Sequence, residues 1–268
     1  MSLAALPMYD LPQLRRYTDA WWAGLARAFE AEGIKEVPAR LERSLPEAEI
    51  WTAPDLLLAQ LCGYSLLHGA AERLSLVAAP CYAAPGAGEG RYCSLIVVPE
   101  ASPAASIAEL RGGVAAFNEA QSHSGMNALR HVVAPHARSG RFFSRVRESG
   151  SHLASLACLR LGQADVAAVD CVTYALLARH VPDAVAGTRV LMRTAEAPAL
   201  PYVSRGDASA DLLQRLRAGL ARAATDSDLA ETREALLLEG FVVTSLADYR
   251  PITAIAEAAV LAGYPELG

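Results

Sequence analysis

Ser122-His123-Ser124-Gly125 place two hydroxyls, an imidazole and a residue without a side chain between a strand-like run, Gly113–Phe117, and a helical pattern that runs from Met126 to near Pro135. A helix start carries unpaired backbone N–H groups and a partial positive charge. Small hydroxyl residues and a glycine let an anion come close to those groups. The turn has the composition of an oxyanion cradle, suited to a phosphate-like group. It equally has the composition of a serine helix cap that needs no ligand. Ser151 and His152 stand ahead of a second helical pattern, and Asp170 ends the apolar run Val166–Val169 ahead of a third. His152 reads as a ligand donor or as a neighbour of a cap, and Asp170 as an acid facing a ligand or as a cap itself. Tyr9, Tyr64 and Tyr92 lie at the edges of strand-like segments. A tyrosine joins an apolar body to an O–H donor, which suits a cleft wall, although half-buried tyrosines at strand ends are ordinary.

Other chemistries fit less well. Ser124, His152 and Asp170 form a hydrolase-like series, but the G-x-S-x-G elbow fails because Ser122 takes its first glycine position. Lys35 is the only lysine, which excludes a P-loop lysine and disfavours Schiff-base chemistry. The five cysteines, Cys62, Cys81, Cys93, Cys158 and Cys171, form no CxxC pair and read as buried free thiols. His131 and His136 are five apart and do not share a helix face as a metal pair would. No metal and no cofactor are expected.

The elements that must position these groups follow from pattern. The chain has 268 residues, 53% hydrophobic and 20% charged, room for one large domain or two smaller ones. A net charge of −5 disfavours general nucleic-acid binding. The apolar run Leu3–Met8 is broken by Pro7, too short for a signal peptide or a membrane span. As it stands the sequence is expected to act in the cytoplasm, or in the periplasm once a leader has been removed, without membrane insertion. Short apolar runs alternate with helical patterns, the mark of an α/β protein. Strands are expected at Leu3–Tyr9, Val37–Leu41, Leu74–Ala79, Tyr92–Val98, Gly113–Phe117, Phe142–Arg147, Val166–Val169 and Val190–Arg193. Helices are expected at Pro12–Ala31, Pro54–Leu61, Ser106–Leu110, Gly125–Val133, Leu153–Leu161 and Cys171–Arg179, with a mostly helical tail from Asp207.

Several stretches together resemble the substrate-binding proteins of phosphate, phosphite and phosphonate ABC transporters. They are Leu61-Cys62-Gly63-Tyr64, Val77–Tyr82 followed by Arg91-Tyr92-Cys93-Ser94, Leu110-Arg111-Gly112, the cradle, Glu148–His152 and Ala164–Asp170. The resemblance covers about Leu56 to Arg205. It implies an α/β, two-lobed type II periplasmic binding-protein fold, with residues 1–98 and 200–268 in the first lobe and 99–199 in the second. The crossings would lie near Pro99 and Ala195–Leu200, with a ligand cleft between lobes that closes by hinge rotation. It further implies that Ser122, His123, Ser124 and Gly125 hold the oxyanion, that His152 adds a donor, that Asp170 faces the ligand, and that tyrosines from the first lobe, Tyr9, Tyr64 or Tyr92, close on it. Family members usually carry a small hydroxyl residue where this chain has His123. The implied partners are a small oxyanion and an ABC permease. A lyase or transferase on the same fold, or a cytoplasmic ligand sensor, stays open as an alternative.

Overall fold

A computed structural model describes residues 2–70 and 72–268. The chain divides into two compact units. The first comprises residues 1–83, 88–91 and 198–249, and the second 84–87, 92–197 and 250–268.

The first unit opens with β1 (Leu3–Ala5), followed by a one-turn helix over Pro7–Tyr9, so the expected strand to Tyr9 is cut short by Pro7. The helix Arg15–Ala31 buries Trp21, Trp22, Leu25 and Phe29. No strand forms at Val37–Leu41. β2 (Leu56–Gln60) occupies the segment expected to be a helix from Pro54 to Leu61. All five of its residues are buried. A strand covered on both faces reads as a continuous apolar run, which periodicity alone cannot tell from a short helix. β3 (Leu74–Tyr82) follows.

The two-residue strands β4 (Arg91–Tyr92) and β10 (Ala197–Pro198) lie where the chain passes from one unit to the other. The first passage is therefore near Tyr92 rather than near Pro99. The reason is pairing: β5 (Ser94–Pro99), expected in the first lobe, bonds on both edges to strands of the second unit. These strands are β6 (Val114–Phe117), β7 (Arg145–Glu148), β8 (Val166–Asp170) and β9 (Thr188–Arg193), in the sheet order β7-β6-β8-β5-β9. The β7-β6-β8 part is parallel, while β5 runs antiparallel to β8 and β9.

On returning, β11 (Tyr202–Arg205) and β12 (Leu238–Val242) complete the first unit's sheet, in the order β1-β2-β11-β3-β12. β12 sits in the tail from Asp207 read as mostly helical, and β11 lies just before it, in a segment for which no element was expected. The Ala210–Thr225 helix packs on the Arg15–Ala31 helix at Gly219, where a β-carbon would run into the Phe29 ring.

The last helix, Arg250–Leu261, belongs to the second unit and not, as expected, to the first lobe. Ala259 and Tyr264 join Ile96, Leu129, Phe142, Phe143 and Val166 in its core. The Phe142 and Phe143 N–H groups donate to the Gly268 carbonyl at 2.9 and 3.1 Å.

Candidate functional site

Because β7, β6 and β8 are neighbours and parallel, their C-terminal ends share one edge of the sheet. The chain leaves each of these ends through a turn into a helix, the arrangement in which α/β sheets build ligand sites. The turn after β6 carries Ser122–Gly125, the turn after β7 carries Ser151 and His152, and Asp170 closes β8.

Ser122 is the helix cap. Its Oγ accepts the Gly125 N–H at 3.0 Å, and its carbonyl accepts the Asn127 N–H at 3.1 Å, five residues on. The turn His123–Asn127 is therefore wider than an α-turn before it tightens into the helix Ala128–Val133. Gly125 is required on steric grounds, since a β-carbon there would overlap the Asn118 side chain. Asn118 Oδ1 is enclosed without a hydrogen-bond partner among the described residues. Of the two readings the sequence posed, the cap is formed, and its bond uses a single N–H of the turn.

Ser124 Oγ lies 2.8 Å from His152 Nε2 and 3.5 Å from Ser122 Oγ. His152 keeps some exposed surface, but its Nδ1 is enclosed. Burial lowers its imidazole pKa from the ordinary 6.5 to about 4, and the Ala168 backbone offsets this only partly. His123 is buried and likewise lowered to about 4, by burial first and then by nearby His131. Both rings are neutral at pH 7. His123 meets the Tyr92 ring edge-on at 6.2 Å, and its Nδ1 lies 3.0 Å from Asn127 Nδ2. Asp170 is buried, and its Oδ1 accepts the Val172 and Thr173 N–H groups at 2.8 Å each. Asp170 thus caps the helix Cys171–His180.

The second unit thereby brings together Ser122, His123, Ser124, Gly125, His152, Asp170 and also Tyr92. Tyr92 was expected from the first lobe, and its place beside His123 corrects that, for the same reason that moves the crossing. Tyr9 and Tyr64 lie in the first unit. Tyr9 is buried, its ring edge-on to Tyr82 at 5.1 Å. Tyr64 is half-buried and stacks on His68 at 3.9 Å. Asn118, Asn127 and Arg130 escaped the sequence reading. The signal available was a polar residue four places after His123, on the same face of a helical turn.

The family model for periplasmic substrate-binding proteins of phosphonate ABC transporters matches residues 58–249. The chain belongs to this family. Its members are substrate-binding proteins rather than enzymes. No curated protein matches in sequence. Solved structures similar to the chain include a binding-protein component of an ABC phosphonate transporter from Pseudomonas aeruginosa, at TM-score 0.78 and 15% identity, covering 98% of this chain and 87% of that one. PhnD1 of Prochlorococcus marinus in complex with methylphosphonate aligns at TM-score 0.75 and 15% identity, over 96% and 97% of the two chains. A Xanthomonas citri protein bound to chloride aligns at TM-score 0.71 and 17% identity, over 98% of each. At these identities the structures establish the fold, the two-domain α/β architecture of type II periplasmic binding proteins. Among the described residues no helix is long and apolar enough to cross a membrane.

Proposed function

We propose that the second unit binds a tetrahedral oxyanion, of the phosphonate or phosphate class, at Ser122–Gly125, and that the protein hands it to an ABC permease. The observation that carries this reading is the convergence of three turns from the same ends of adjacent parallel strands, with Ser124 Oγ bonded to His152 Nε2 at 2.8 Å. Hydroxyls, backbone N–H groups and neutral imidazoles supply the donors there, and the site residues include no lysine or arginine. An oxyanion is then held by directed hydrogen bonds rather than by an ion pair, which favours a ligand of matching shape over any anion of matching charge. Asp170, already bonded to two N–H groups, sets an acid beside such a ligand and favours one that carries a proton or an amine. Tyr92 adds an aromatic wall. Family membership and the methylphosphonate held by the Prochlorococcus protein support the same ligand class. Transport is favoured over turnover, because a His152 held neutral at a pKa of about 4 is a weak base at pH 7.

Calorimetry with methylphosphonate, phosphate and sulfate tests the proposal. Binding of methylphosphonate or phosphate that is lost in Ser124→Ala is the expected result. No heat from any of the three, with the fold intact, overturns it.

A further inference from the structure

We propose that Cys93 and Cys171 are a modification site, a dithiol that the fold holds ready to close into an intramolecular disulfide when a small-molecule or protein disulfide oxidises it. The inference stands apart from the oxyanion reading above and goes beyond it.

The first support is backbone register. β5 and β8 are antiparallel, with Leu95 opposite Val169 and Ser94 opposite Asp170. One residue further on, where Cys171 opens its helix, the Cys171 N–H still donates to the Cys93 carbonyl at 3.1 Å. Residues bonded in this way across an antiparallel pair have α-carbons about 5.5 Å apart. A disulfide asks for roughly 4.4–6.8 Å, so the backbone need not move to admit one.

The second support is where the side chains meet. Both cysteines belong to the second unit and both are buried. A β-carbon on Gly86 would lie 2.6 Å from Cys93 Sγ and 3.6 Å from Cys171 Cβ, so the two side chains converge on one point. Gly86, at φ +104°, is the residue that lets the chain close over them. The Arg193 side chain reaches the same place, its Cδ 3.7 Å from that point. The thiols are hydrogen-bond partners of one another. The Cys171 S–H donates to Cys93 and holds the Cys93 thiol below its ordinary 9.0; burial opposes this, and Arg193 adds to it. The same bond, and then burial, pushes the Cys171 thiol up.

The roles in exchange follow. The Cys93 thiolate, the more readily formed of the two, attacks one sulfur of glutathione disulfide. That S–S bond breaks, and the first glutathione leaves with the proton Cys93 has given up. Cys171 then loses its proton and attacks the Cys93 sulfur, and the second glutathione leaves and takes that proton. Two protein thiols are oxidised, and one glutathione disulfide is reduced to two thiols. An oxidising compartment such as the periplasm, where the family's members work, favours the closed form. The bond would join the residue after Tyr92 to the residue after Asp170, and so staple the start of β5 to the helix that Asp170 caps. The loop it closes contains β6, β7 and β8, long enough to constrain the unfolded chain strongly.

The test refolds the full chain from urea in a buffer of reduced and oxidised glutathione, so that burial does not limit access. Free thiols are then alkylated and the peptides mapped by mass spectrometry. The expected result is a Cys93 peptide joined to a Cys171 peptide, with Cys62, Cys81 and Cys158 alkylated. The oxidised parent should melt about 5–15 °C above the same protein kept reduced, while Cys93→Ser should melt alike in both buffers. Cys93 and Cys171 both alkylated, either one kept as a glutathione adduct, or either one bonded to another cysteine overturns the proposal. A Cys93–Cys171 bond that does not raise the melting temperature overturns it as well, since the native fold would then not hold the pair ready. The parent alone decides the pairing if Cys93→Ser does not fold. If the parent does not refold, the native chain incubated in the same buffer to equilibrium gives the same two readings.

Discussion

Mild acid should destabilise the second unit more than the first. His123 and His152 titrate near 6.5 in the unfolded chain and at about 4 in the fold. Between those values the unfolded chain binds more protons than the native one, so stability rises with pH across the window and is lost as pH falls. Above about 6.5 the neutral rings cost nothing, and below about 4 the loss is complete. At pH 5 each histidine withdraws about 2 kcal/mol relative to pH 7, since the unfolded ring is almost wholly protonated there and the native ring scarcely at all. Together they remove about 4 kcal/mol, a large share of the roughly 5–15 kcal/mol of a typical domain. Most carboxylates titrate lower, so the interval from pH 7 to 5 isolates the imidazoles. Urea unfolding followed by far-UV circular dichroism and by tryptophan fluorescence measures it. All three tryptophans, Trp21, Trp22 and Trp51, lie in the first unit, so fluorescence is an internal control. The dichroism transition should move down by about 1–2 M urea at pH 5, taking a slope near 2–3 kcal/mol/M. His152→Gln should remove about half of that shift. A dichroism transition at the same urea concentration at both pH values would show that the histidines are not held neutral, and the reasoning from burial would be wrong.

Three further outcomes are expected. Ser124→Ala should weaken methylphosphonate binding about tenfold, since charge-assisted hydrogen bonds are worth roughly 1.5–3 kcal/mol; calorimetry reads it, and unchanged affinity would remove Ser124 from the site. Gly125→Ala should destabilise by about 1–3 kcal/mol by overpacking against Asn118, and should open the turn enough to lose binding as well; a thermal melt and calorimetry on the same sample check both, and a variant that melts and binds like the parent would disprove the close approach. Asp170→Ala strips an acceptor from two buried N–H groups and should cost about 1–3 kcal/mol, whereas Asp170→Asn, which keeps an acceptor, should cost less.

Much of the site was legible because its signals are local. Hydroxyl-rich turns between an apolar run and a helical period announce themselves, and Ser122, Ser151 and Asp170 all cap helices where the pattern places them. The contact between Ser124 and His152 needs the order of strands β7-β6-β8, which no local pattern encodes. The Arg130 contacts were hidden for the same reason: besides Asn127 Oδ1, its guanidinium donates to the carbonyls of Ala256 and Pro265, more than a hundred residues away. Among the elements, β2 was misread because burial on both faces erases alternation. β12 was lost among helical neighbours and β11 was given no element, since four or five residues carry too little period to stand out. The passage near Tyr92 was misplaced because Pro99 looks like a boundary, while β5 is assigned by its hydrogen bonds to β8 and β9 alone.

The last helix gives the second unit a schedule. Arg130 lies in a helix laid down early, yet the carbonyls that compensate its charge, those of Ala256 and Pro265, arrive only after the whole return through the first unit. Between Ala197 and Ala259 a ribosome adding roughly 5–20 residues per second needs about 3–12 s. Throughout that interval Arg130 has the Asn127 side chain, at 3.1 Å, but neither of those two carbonyls, and the core lacks Ala259 and Tyr264. The second unit's core is thus completed in synthesis only after the last segment of the first. One half of the molecule therefore depends for its last packing layer on the final residues to leave the ribosome.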